Sequence, residues 1–128
     1  MAVLHYRELV AWQKGMDLVE AVDRLTQSFP KDEMYGLTNQ VRRAAVSVPS
    51  NIAEGQGRGV GGEFAHHLRI ANGSRQEIET QILIGHRLGY VESAECDPAR
   101  SLCQEVGRLL TGLRRSVAGS RPSLATGN

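Results

Sequence analysis

Aromatic residues are scarce: 5% of 128 residues, with one tryptophan, two phenylalanines and three tyrosines. A core with so few rings must be filled by Leu, Ile, Val and Ala, as helix packing allows. Only two cysteines occur, Cys96 and Cys103, which excludes a disulfide framework. Neither sign of charge prevails; the formal net charge is +1 and argues neither for nor against an anionic partner. No apolar run approaches the ~20 residues of a membrane span, so no membrane partner is expected. The opening MAVLHYRELV has no basic run followed by an apolar block, so no signal peptide is expected, and a reduced, cytoplasmic setting follows. Strand-like alternation and internal repeats are both missing. The length suits one domain, able to bury roughly two-thirds of its unfolded surface.

What is present is helical periodicity. Leu9, Trp12, Met16, Val19, Val22 and Leu25 recur at steps of three and four, predicting a first helix over 8–28 that Pro30 stops. Asp32 is placed to cap the next helix. That second helix begins near 33–37 and carries Leu37, Val41, Ala44 with Ala45, Val48 and Ile52 on one stripe. Pro49 lies inside it, lacks an N–H and crowds the carbonyl of Ala45, so a kink is expected there. Gly55 and Gly57 are expected to end it, and 55–62 to form a flexible connection.

A third helix over 63–90 presents Phe64, His67, Ala71, Ile78, Ile82 and Gly85, with Arg75 interrupting the stripe. Ile70, Ile84 and Leu88 fall about a quarter-turn to one side, so the apolar arc is wider than one partner helix requires. That surplus predicts an oligomer interface made partly by the third helix. Asp97-Pro98 is read as a cap followed by proline at the first position of a fourth helix, with Leu102, Val106, Leu109, Leu110, Leu113 and Val117 inward. Residues 119–128 lack periodicity and are expected to be a disordered tail. The fold class is therefore all-α: an up-down-up-down antiparallel four-helix bundle over 1–118.

Three stretches carry a resemblance: LVAWQKGMDLV (9–19), LTNQVRRAAVSVPSNIAEGQGR (37–58) and HLRIANGSRQEIETQILIGHRLGY (67–90). They resemble the 23S ribosomal RNA intervening-sequence protein family, over about residues 7–115. The resemblance implies an antiparallel four-helix bundle and a homo-oligomer, with a pentamer the expected form. The chain also looks like the pentameric accessory protein of diversity-generating retroelements, a basic bundle that binds nucleic acid and a reverse transcriptase. It departs from the family pattern at Gly59-Val60-Gly61-Gly62, where many relatives look lysine-rich, and at His66-His67.

No Ser-His-Asp or Cys-His nucleophile arrangement is readable, and no enzyme activity or cofactor is expected. Residues 57–62 match GxGxxG literally, but a helix rather than a strand precedes them, and Glu63 opposes a phosphate at the next helix start. Glu63 and His66 form one ExxH; di-iron bundles need two, so no metal site is expected. Glu54 lies in the last turn of its helix, where a carboxylate is disfavoured. The hairpin register places it near Trp12 and Lys14, with Asn51 on the next rung, predicting a structural polar cluster. Arg42 and Arg43 fall level with Glu77 and Glu79, predicting interhelical ion pairs. Segments 37–60 and 98–128 are net basic, 1–36 and 61–97 net acidic. Arg58, Arg108, Arg114 and Arg115 are the candidate nucleic-acid contacts; no aromatics are interleaved for base stacking. The expected function is a non-enzymatic, homo-oligomeric scaffold or adaptor. The alternatives are a binder of structured RNA or DNA and, behind it, a metal- or ligand-binding bundle. Self, RNA, DNA or another protein are the candidate partners.

Overall fold

The computed structural model describes residues 5–59 and 62–119. Among them are four α-helices and no strand: α1 (Val10–Thr26), α2 (Leu37–Gly57), α3 (Gly62–Arg87) and α4 (Ser93–Gly119). Short 3-10 turns, Tyr6–Glu8 and Lys31–Glu33, precede α1 and α2. Each helix packs on two others: α1 on α2 and α4, α3 on α2 and α4. The all-α, four-helix expectation holds. Of the expected tail only Gly119 is described, and it closes α4; 120–128 lie outside the described residues, as do Val60 and Gly61 of the expected loop.

The stripe of α2 is as periodicity dictates: Val41, Ala44, Ala45, Val48 and Ile52 are buried. Pro49 is buried within an uninterrupted helix that continues through Gly55 to Gly57. Opposite Pro49 stands Gly15 of α1. A Cβ there would lie 3.4 Å from both Pro49 Cβ and Val48 Cγ1, so the glycine lets the two helices approach closely.

That approach corrects the expected face of α1. The buried line is Ala11, Gly15, Leu18, Val22 and Leu25. Trp12 and Val19 are only partly buried and Met16 is exposed, because the small residues turn inward and the bulky ones ride on the shoulder. α1 is also shorter than expected at both ends.

α2 is capped by Glu33 rather than Asp32. The Glu33 Oε1 accepts the Leu37 N–H at 2.9 Å, which supplies one of the free donors of the first turn with an acceptor. On α3 the buried line is Phe64, Leu68, Ala71, Ser74, Ile78, Ile82 and Gly85. Leu68, missing from the expected face, is fully buried, while His67 is half-buried. α3 stops at Arg87 rather than 90, since Gly89 takes φ +82° and the Tyr90 N–H returns to the Gly85 carbonyl at 2.9 Å.

α4 starts five residues before the expected proline. The Glu92 N–H donates to the Glu95 carboxylate at 2.8 Å, half of a capping box, and Pro98 falls inside the helix. The earlier start makes Cys96 and Ala99 core residues in line with Cys103, Val106, Leu110 and Val117; Leu102, Leu109 and Leu113 are partly buried. Desolvation pushes the Cys96 thiol up and the Cys103 thiol up to about 12. Both are buried packing residues with little thiolate character at neutral pH.

Gln40 meets Gln81, Ser47 bonds Ser74, and Gly55 packs on His67. Residue numbers thus fall along α3 as they rise along α2.

Candidate functional site

The polar side chains assemble differently from the sequence expectation. Glu54 takes neither a hydrogen bond from the Trp12 indole nor an ion pair with Lys14. Its carboxylate accepts from Arg58 Nη2 at 2.9 Å and stands 3.7 Å from His67 Nε2. Arg58 also faces Glu63 at 3.5 Å, and His67 Nδ1 lies 2.8 Å from the Glu63 carbonyl. Arg58, one i+4 step from Glu54, closes the gap within the helix, and the α2–α3 turn brings in the rest. The Arg58 bond, and then the charge of His67, hold the Glu54 carboxyl below its ordinary value. Lys14 instead faces Glu105 of α4 at 3.7 Å, and Asn51 bonds Ser47 of its own helix. The expected four-residue cluster is therefore replaced by a stitch across the α2–α3 turn. Arg58, a candidate nucleic-acid contact, is half-exposed and has the Glu54 and Glu63 carboxylates in reach.

Arg42 turns to α1 rather than α3. Its Nε donates to the Thr26 hydroxyl at 2.8 Å and lies 3.5 Å from Asp23. Arg43 and Glu77 are exposed and join no ion pair among the described residues. Glu79 pairs with Arg75 on its own helix, at 3.1 Å. The rotation of α2 about its axis decides this: level residues meet only if both lean towards the shared seam.

Arg75 was expected only to interrupt a stripe. Its Nε donates to Asn72 Oδ1 at 2.9 Å, and its guanidinium lies over Gly107 of α4, where a Cβ would come within 2.9 Å of Cζ. A glycine at 107 is what admits the flat cation between the helices. Beyond it a groove of about 540 Å³ is walled by Arg75, Gln104, Arg108, Thr111 and Arg115, with Gly107 and Gly112 on the α4 side. Arg108 and Arg115 are exposed and Arg114 is half-buried.

Two apolar surfaces stand on different sides. Ile70 and Ile84 are each 40% exposed and Leu88 56% on the outer side of α3. Trp12, Met16, Val19, Val46, Pro49 and Ala53 line a groove between α1 and α2. Periodicity flagged the first. The second was hidden by the assumption that Trp12, Met16 and Val19 form the core face.

Glu63 and His66 of the single ExxH do not converge with a further ligand. Among the described residues no group of three His, Cys, Asp or Glu side chains could hold a metal ion. No helix is long and apolar enough to cross a membrane.

The family model described as 23S rRNA-intervening sequence protein matches residues 7–112. The chain belongs to that family. Its matched span takes in α1, α2, α3 and most of α4, and so includes the Gly15–Pro49 contact, the turn stitch and Arg75. Arg114 and Arg115 fall beyond the span of the intervening-sequence protein model. A comparison with curated proteins gave no match.

Proposed function

We propose that this intervening-sequence family member is a non-enzymatic homo-oligomeric scaffold or adaptor of the cytoplasm, with five copies the number its family resemblance implies. One observation carries the reading: a single subunit bears two separate apolar faces, the outer strip of α3 and the groove between α1 and α2. α2 stands between them. A surface that pairs with a different surface on the next copy makes a head-to-tail contact, which closes into a ring when the rotation allows. Sedimentation velocity at micromolar concentration tests it. A species of several 14.0 kDa subunits is expected, and Ile84→Glu should convert it to monomer. A monomeric wild-type chain would overturn the proposal.

A second reading, binding of structured RNA or DNA, is favoured by the arginine-walled groove between α3 and α4. Repeated around a ring, such grooves make a large basic surface whose phosphate contacts weaken with salt. Retardation of duplex RNA or DNA that fades between about 50 and 200 mM salt is the expected sign.

A further inference from the structure

We infer that the α3–α4 groove is a seat for the phosphodiester backbone of a helical nucleic acid, held by charge and shape. Arg108 and Arg115 are seven residues apart on α4, two helical turns and about 10 Å along one face. One strand of a duplex carries a phosphate about every 3.4 Å of axis, so that face spans about three phosphates. Thr111 lies between the two arginines, with its hydroxyl donating to the Gly107 carbonyl at 3.0 Å, so the arginines supply the charge of this face. Arg75 forms the opposite wall. Glu79 offsets its charge, so the net positive field comes from Arg108 and Arg115, which join no ion pair among the described residues.

Two glycines shape the floor. Gly107 is covered by the Arg75 guanidinium, whereas a Cβ at Gly112 would meet nothing within 4 Å. A backbone can therefore come close to α4 at Gly112. The lining holds no aliphatic or aromatic side chain. With no aromatic ring in its lining, the groove does not suit a single strand held by base stacking.

The inference rests on the second reading above, and the two fail separately. Binding of a 20-base-pair RNA duplex, a DNA duplex of the same sequence and a single strand is measured by fluorescence anisotropy on the full chain at several salt concentrations. Both duplexes should bind, and more tightly than the single strand. Arg108→Gln with Arg115→Gln should weaken duplex binding on the order of tenfold and flatten the salt slope by about one unit for each phosphate no longer engaged. The control pair Arg24→Gln with Arg43→Gln removes the same charge elsewhere and should change affinity far less. Gly112→Leu keeps all charges, suits a helix and fills the floor; it should also weaken binding. No binding by the wild type to any nucleic acid would sink both readings. Binding that the groove variants leave intact, or that the control pair reduces equally, would overturn the groove alone.

Discussion

At the level of single residues, Glu33 ties three segments together. One carboxylate oxygen caps α2 through the Leu37 N–H, and the other accepts the Tyr90 hydroxyl at 2.7 Å. The Tyr90 bond, then the backbone bond, hold the carboxyl below its ordinary value of 4.5. A lowered carboxyl stabilises the fold above the ordinary carboxylate range, and that contribution disappears as pH falls through the folded value. Glu33→Gln is therefore expected to lower the melting temperature at pH 7. The difference from wild type should shrink as the pH drops below 4.5. A gap that stays constant across that range in scanning calorimetry would refute the linkage. The Cys103 thiol has the opposite sense. Held neutral up to about 12, it favours the fold below pH 9 and loses that contribution as pH rises between the two values. Neither Cys103 nor Cys96 should react with a thiolate-selective disulfide reagent at neutral pH until denaturant is added. The sequence did expose Glu54 as misplaced at a helix end, but not its partners. Register across a hairpin fixes the level of a residue, not the side to which its chain leans, and the i+4 neighbour Arg58 was nearer than any other helix.

Element by element, the legibility of each helix followed the bulk of its buried residues. The stripe of α2 was readable because Val41, Val48 and Ile52 carry a strong apolar signal. That of α1 was not, since Ala11 and Gly15 carry almost none and yet are buried, with Gly15 set against α2. α4 was read late because Asp97-Pro98 has the form of a helix start, whereas the Glu92–Glu95 bond already closes the turn before it. The same contrast makes glycines informative by what surrounds them. A Cβ at Gly85 would stand 2.7 Å from Cζ of Phe29, a ring packed in the core and against Tyr90. Alanine gains ~1 kcal/mol of helix propensity over glycine, but overpacking a core costs about 1–3 kcal/mol. Gly85→Ala is expected to be destabilising by about 1 kcal/mol on balance, and Gly112→Ala, in open space, stabilising by about 0.5–1 kcal/mol. Urea unfolding of the two variants checks the pair, and shifts of the same sign would contradict the packing of Phe29 on Gly85.

For the whole molecule the decisive question is which surface meets which. If the α3 strip packed on its own copy about a two-fold axis, the groove between α1 and α2 would play no part. If instead strip meets groove, each subunit offers one of each, and every contact joins unlike surfaces. Met16 is 41% exposed and Ile84 40%, so each can be replaced with little disturbance of the core. Met16→Glu spoils the groove and leaves the strip, while Ile84→Glu spoils the strip and leaves the groove. Under the strip-to-groove arrangement each variant alone is a monomer. Mixed in equal amounts, the intact strip of the first fits the intact groove of the second, and a one-to-one dimer forms that cannot grow. Under the two-fold arrangement the Met16→Glu chain assembles unaided. Sedimentation of the separate and mixed variants distinguishes the two, because only unlike surfaces make the mixture larger than either component. A Met16→Glu chain that remains fully assembled would remove the groove from the interface and, with it, the physical reason for a ring.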